Sequence, residues 1–231
     1  MKTISRILII SLVLVNTVLS QTQQTVRTVY EIPFASRNNI IELELVNNEG
    51  VKTQDLSIKI IDKPEWIRFK NSTAEIQTTE SQISSLPAGQ AGLTSNIYLF
   101  EFDILKEAPV GEETSLKFVV GNGNETFGEK EIKIAVAAPV NYELYQNYPN
   151  PFNPATTISY QLPKVSKINL KIYDILGSEV ETLIDKEQSP GFHKFNWNAG
   201  RYSSGMYIYQ LIAENNNGEK NIFRKKMLLI K

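Results

Sequence analysis

Read as an extended backbone, this chain keeps one side apolar. In "IELELV", Ile41, Leu43 and Leu45 fall on one face while Glu42 and Glu44 fall on the other; in "KEIKIAV", Ile132, Ile134 and Val136 oppose Lys133. Successive side chains of a strand point to opposite faces, so a period of two builds strands that are half buried. Similar short runs, rich in β-branched and aromatic residues, recur as "TVRTVYEI", "LSIKII", "EWIRF", "NIYLFEFDI" and "TSLKFVV". No window carries a helical period. Clusters such as "NNEG" and "GNGNETFG" separate the runs with residues that tolerate the backbone angles of hairpin loops. About seven strands in roughly 115 residues predict a β-sandwich.

A second series follows "AAPVNYELYQNYPNPFNP": "TTISYQL", "KINLKIYDIL", "SEVETLI", "HKFNWNA", "GMYIYQLIAE" and "NIFRKKMLLI". "DILGSE" and "ENNNGEK" divide neighbouring strands into hairpins. The expectation is therefore all-β, with two immunoglobulin-like antiparallel β-sandwich domains in tandem over residues 21–140 and 141–231. The polar stretch from Asn71 to Asn96 resists assignment. "AEIQT" reads as a weak edge strand there, and "SSLPAGQAGLTS" as an exposed, variable loop.

Residues 1–20 carry the three-part pattern of a cleaved secretory signal: "MKTISR", the thirteen-residue run "ILIISLVLVNTVL", and small or aliphatic residues before Gln21. The run is shorter than the roughly 18–20 apolar residues of a bilayer span. No transmembrane segment is expected in the mature chain. The absence of cysteine excludes disulfides, thiolate metal sites and cysteine nucleophiles. Charge is uneven: residues 21–140 carry −6 and residues 141–231 carry +3. An acidic module before a mildly basic one suggests different partners, and neither charge is large enough for nucleic acid.

Residues 144–231 resemble the type A C-terminal sorting domain of proteins exported by the bacterial type IX secretion system. The likeness rests on "LYQNYPNPFNPATTISYQLP", "LKIYDILGSEVETL", "GFHKFNWNA", "SSGMYIYQL" and the terminal "KKMLLIK". It marks Tyr148, Pro149, Asn150, Pro151, Phe152, Asn153 and Pro154 at the opening, then Ser204, Gly205, Tyr207, Lys225 and Lys226, as the sorting motif. The prolines restrict φ and withhold donors, so this opening cannot continue a central strand. Pro149 and Pro151 also push Tyr148 and Asn150 towards extended conformations. Asn150 and Asn153 are expected to close Asx turns. Tyr148 and Phe152 are expected to pack on the first strand pair, making the stretch an ordered lip rather than a spacer.

The resemblance implies passage through the periplasm, recognition by the type IX translocon, and removal of the domain near Val140–Leu144 by a surface sortase-like protease. The product would be released or joined to a surface polysaccharide or lipopolysaccharide. The expected location is the medium or the cell surface.

Chemistry is sparse in residues 21–140, which hold neither histidine nor cysteine. No Ser-His-Asp or Cys-His arrangement can form there. The chain's one histidine, His193, sits in "GFHKFNW" and reads as a surface or packing residue. "GNGNETFGE" offers oxygens for calcium at Asn122, Asn124, Glu125 and Glu129, yet Asn-Gly is first a hairpin signal. Trp66 and Phe69 could form a ring-stacking platform for a sugar, or be core residues after a proline-led turn. "KEAPVGEETSLKFVV" weakly resembles the late strands of bacterial immunoglobulin-like accessory domains. The expectation is a non-catalytic exported protein with no cofactor and no metal, its cargo serving adhesion, surface structure or ligand binding. The alternative is a small carbohydrate-binding or carboxylate-dependent hydrolytic module sent by the same route.

Overall fold

A computed structural model describes residues 7–14, 28–47, 57–70, 73–75, 94–121 and 126–231. The described residues form only strands and connections, so the all-β expectation holds. The strands are β1 (Ile7–Leu14), β2 (Val29–Ile32), β3 (Asn39–Asn47), β4 (Ser57–Asp62), β5 (Ile67–Phe69), β6 (Thr73–Glu75), β7 (Thr94–Ile104), β8 (Glu113–Gly121) and β9 (Thr126–Val136). They continue as β10 (Glu143–Leu144), β11 (Ala155–Leu162), β12 (Ser166–Tyr173), β13 (Glu179–Gln188), β14 (Gly191–Asn198), β15 (Gly205–Asn215) and β16 (Lys220–Leu229). No helix among the described residues is long and apolar enough to cross a membrane.

The chain divides into two units. Unit 1 is Met1–Leu105 with Glu112–Val136; unit 2 is Lys106–Gly111 with Ala137–Lys231. Unit 1 stacks a sheet of order β1-β3-β7-β5 on one of order β2-β9-β8-β4-β6. Ile41, Leu43, Phe100 and Phe102 from the first sheet and Ile58, Phe118, Ile132 and Ile134 from the second are all buried. The Phe100 and Phe118 rings meet edge to face at 5.1 Å, within the range aromatic pairs prefer.

Not every pair is antiparallel. β2 runs parallel to β9, and β1 runs parallel to β3 from Ile7↔Ile40 to Leu14↔Asn47. The apolar run of the expected leader therefore does not stand apart from the fold in the uncleaved chain. A β-rich, uncharged octapeptide beside an unpaired strand edge satisfies that edge's backbone groups. The expected edge strand in "AEIQT" corresponds to β6, paired with β4 through Ser57↔Glu75. The rest of that polar stretch up to residue 93, like Asn122–Glu125 of the calcium candidate, lies outside the described residues.

Unit 2 packs the sheet β10-β11-β14 against the sheet β13-β12-β15-β16. Here β11 and β12 bury every second residue, giving Ile158, Tyr160 and Leu162 from one sheet and Ile168, Leu170 and Ile172 from the other. Tyr209, Leu211, Ala213, Met227 and Leu229 complete one core. Lys106–Gly111, at the start of the segment likened to accessory domains, groups with this unit. Glu107 pairs with Lys194 at 2.6 Å, and the Lys106 ammonium lies 3.7 Å over the Tyr145 ring.

Candidate functional site

The two ends of the sorting motif lie far apart in sequence and meet in space along the outer edge of β16. An edge strand exposes alternate N–H and C=O groups to any passing strand. Here the lip answers four of them. Gln146 Nε2 donates to the Lys226 carbonyl at 2.8 Å. Phe152 N donates to the Leu228 carbonyl at 3.0 Å, and Ile230 N donates to the Phe152 carbonyl at 3.0 Å. The Leu228 N–H donates to Asn150 Oδ1 at 3.0 Å. Phe152 and Leu229 thus form a parallel bridge.

Phe152 packs as expected. It is 2% exposed, and its ring lies 5.7 Å from that of Trp197. Tyr148 does not: its side chain is 82% exposed. Only its backbone is held, exchanging bonds with Thr157 at 3.0 and 2.9 Å. That antiparallel bridge to β11 directs the Tyr148 side chain to the solvent face. Asn150 does not close a local Asx turn, because its side-chain oxygen is taken by Leu228. Asn153 is exposed, and the Pro154 carbonyl accepts from Ala199 N at 2.8 Å. The Tyr148–Pro149 and Asn150–Pro151 peptides are both cis.

The residue that organises the lip is one the sequence reading passed over, Asn147. It is 2% exposed. Its Nδ2 donates to the Pro149 carbonyl at 3.0 Å and to Thr156 Oγ1 at 2.9 Å, while Thr156 Oγ1 donates to the same carbonyl at 2.8 Å. Its backbone N–H donates to the Tyr209 hydroxyl at 2.9 Å, and that hydroxyl donates to the Tyr145 carbonyl at 2.9 Å. Burial pushes the Tyr209 phenol up to about 12, so it stays a donor across the physiological range. The available signal was an amide side chain directly ahead of a proline cluster that lacks donors of its own.

The C-terminal part of the motif closes the same end. Gly205 opens β15 at φ +155, a left-handed angle that L side chains rarely adopt, and the space around it is open. Ser204 Oγ accepts from Lys231 N at 3.0 Å, and Lys231 Nζ donates to the Gly200 carbonyl at 2.9 Å. The Tyr207 hydroxyl donates to the Ser203 carbonyl at 2.8 Å. Lys225 is half-buried opposite Tyr209; Lys226 is exposed opposite Ile208.

Beneath the lip, Phe152, Trp197, Tyr202 and Tyr207 form an aromatic cluster. The Trp197 ring lies 5.7 Å from Tyr202 and 5.9 Å from Tyr207. Glu181 from β13 caps it. One carboxylate oxygen accepts from Trp197 Nε1 at 2.9 Å and from the Tyr202 hydroxyl at 3.0 Å, and the other meets Arg201 at 2.9 Å. Burial raises the Glu181 carboxyl, but the Trp197 and Tyr202 donors and the Arg201 charge outweigh it and hold the group below its ordinary value. His193 stacks on Tyr160 at 5.4 Å and bonds the Ser189 carbonyl through Nε2.

In unit 1 the two platform residues have different surroundings. Phe69 packs among Phe100, Phe102 and Phe118, with centroids at 6.4, 5.3 and 6.5 Å. Trp66 is half-buried in the turn before β5, its carbonyl accepting from Leu105 N at 2.9 Å. Phe69 is therefore built into the core side rather than offered beside Trp66. Among the described residues no three His, Cys, Asp or Glu side chains gather as a metal site would need.

Residues 146–225 match the family described as the secretion system C-terminal sorting domain. The matched span starts at Gln146, the first lip residue bonded to β16, and stops within β16. No curated protein matches the chain. Among solved structures, dimeric latent PorU from Porphyromonas gingivalis is similar at 16% identity over 90% of this chain, with a TM-score of 0.34. The native alpha-2-macroglobulin of E. coli gives 11% over 87% and 0.26; domains 3 and 4 of rat CD4 give 10% over 86% and 0.21. The overlap spans 19% of the PorU chain, 16% of the macroglobulin and 99% of the CD4 fragment. Superpositions this loose carry no argument about activity. The conclusion comes from the motif and its match: residues 146–225 are a type IX secretion C-terminal sorting domain, and it marks the chain for export to the cell surface or the medium.

Proposed function

We propose that residues 141–231 are the address and residues 21–140 the delivered product, a non-catalytic β-sandwich serving adhesion, surface structure or ligand binding outside the cell. The observation that carries this reading is the sorting-domain match over 146–225, with its two motif ends fastened into one edge. Residues 1–20 act as the leader that first brings the chain to the periplasm. The translocon then recognises the folded sorting domain, and a surface sortase-like protease removes it.

The local structure favours a processing point before β10. Val140 is 89% exposed, whereas Leu144 is 3% exposed and paired with Tyr160 on β11. The Asn141 carbonyl already accepts from Gln161 Nε2 at 3.1 Å. A protease binds its substrate as an extended, unpaired chain, so the exposed Val140–Asn141 junction is the accessible point; Pro139 before it is buried, and Glu143 and Leu144 after it are paired in β10.

The test is fractionation of the native organism expressing the chain with and without residues 141–231, followed by intact mass of whatever leaves the cell. A product running from Gln21 to about Val140, confined to the periplasm on truncation, supports the reading. Added mass on that product would reveal attachment to a polysaccharide. Full-length mature protein outside, unaffected by truncation, would refute the sorting role.

A further inference from the structure

The face of the β13-β12-β15-β16 sheet that points away from the core has an uneven surface. Cross-strand register places its residues in rows. Towards the far end the rows are polar or mixed: Lys167, Glu214 and Lys220, then Asn169, Ile212 and Ile222, then Lys171, Gln210 and Arg224. Towards the lip they become apolar. Tyr173, Ile208 and Lys226 form one row; beyond it Met206 pairs with Leu228, and the β12–β13 turn projects Ile175 and Leu176. Leu176 is 86% exposed, Ile175 68% and Met206 47%.

Turn residues are normally polar, and this turn is not loose. Asp174 Oδ1 accepts from Leu176 N and Ser178 N, both at 2.9 Å, and Asp174 N donates to the Ser178 carbonyl at 3.0 Å. Gly177 supplies the left-handed angle at φ +84. Two aliphatic side chains are thus held in water by a preorganised backbone, which lowers the ordering cost of binding through them.

Three features point to the occupant. First, a partner cannot add a strand at this end of β16, because Gln146, Asn150 and Phe152 already occupy its outer edge. Contact there must be through side chains. Secondly, charge is polarised: Lys220–Lys231 holds five cations and no acid, while β13 carries Glu179, Glu181, Asp185 and Glu187. Thirdly, the apolar end is flanked by Lys226 on the cationic side, with no ion pair to it among the described residues.

We propose that Ile175, Leu176, Met206 and Leu228, with Lys226 at the rim, form a docking surface for a protein partner presenting an apolar pocket bordered by carboxylates. It rests on the sorting reading above and assigns that recognition to one end of one sheet.

The experiment uses the full chain in the native organism. Leu176→Asp and Met206→Asp place a repelling charge on the surface; Ile222→Asp, at 53% exposure on the same face, is the control at the far end. Folding of each purified variant is checked by its thermal transition; if Met206→Asp alters it, Leu176→Asp, in a turn held by backbone bonds, carries the test. The expected result is at least a tenfold fall in the exported fraction for both patch variants and none for Ile222→Asp. Lys226→Glu should fall with them, and Lys226→Arg should not. If the patch variants export normally while removal of residues 141–231 blocks export, the docking surface is wrong and the sorting domain stands. If removal of 141–231 leaves export intact, both fail. Flotation of the purified chain with phosphatidylglycerol vesicles, abolished by Leu176→Asp, would overturn the proposal in favour of a lipid surface.

Discussion

Asn147 and Tyr148 are neighbours with opposite roles, and substituting each in turn tests how the lip is held. Asn147→Ala deletes a buried side chain that donates to the Pro149 carbonyl and to Thr156 Oγ1 and accepts from Gln146 Nε2 at 2.8 Å. Each such bond contributes about 0.5–1.5 kcal/mol net, so the loss should be about 2–3 kcal/mol. Unit 2 is about 100 residues, for which 1 kcal/mol moves Tm by roughly 4–8 °C; the expected fall is roughly 10–20 °C. Tyr148→Ala removes an exposed ring and leaves both backbone bonds to Thr157, so stability should stay within about 0.5 kcal/mol. Trp197, beneath the lip, is the reporter, read by fluorescence during thermal unfolding in a Trp66→Phe background so that the other unit is silent. If Tyr148→Ala melts as early as Asn147→Ala, or if Asn147→Ala changes nothing, the account of the lip is refuted.

Three further outcomes follow from the same geometry. Phe152→Ala should cost about 3–5 kcal/mol by emptying a core position against Trp197, seen as a lower urea midpoint. Gly205→Ala should cost about 1–3 kcal/mol through its φ alone, since an added Cβ meets nothing within 4 Å; amide exchange should rise at the start of β15. The Glu181 carboxyl is held lower folded than unfolded, so its stabilisation is complete above the unfolded value of about 4.3 and lost as pH falls through the folded one. Acid titration followed by Trp197 fluorescence should therefore be steeper for the wild type than for Glu181→Gln below about pH 4.3.

The period-two pattern settled the strands. "TTISYQL" became β11, "KINLKIY" became β12, and each buried every second residue, because alternation is a local property of the backbone. The sorting motif was legible for the same reason: "YPNPFNP" and "SSGMYIY" carry unusual backbone chemistry that is visible one residue at a time. What alternation cannot say is which strand lies beside which. The sequence pattern treated Tyr148 and Phe152 as equivalent aromatics, and only the bridge from Tyr148 to Thr157 and from Phe152 to Leu229 sends one ring outwards and the other in. For Asn147 the sequence offered only an amide beside a donor-poor proline cluster; that its backbone N–H meets the Tyr209 hydroxyl, 62 residues away, is a tertiary fact.

By itself, then, the sequence determined an all-β chain, most of its strands and a sorting domain in its C-terminal part, since each follows from residue types and their local period; the strand in Ile7–Leu14 did not. The tertiary structure decided the rest. It seated the lip along the terminal strand, placed Glu181 over the aromatic cluster and gathered the exposed aliphatics at one sheet end. These depend on contacts between residues far apart in sequence, where sheet register and the closing of an unpaired edge govern which side chains meet.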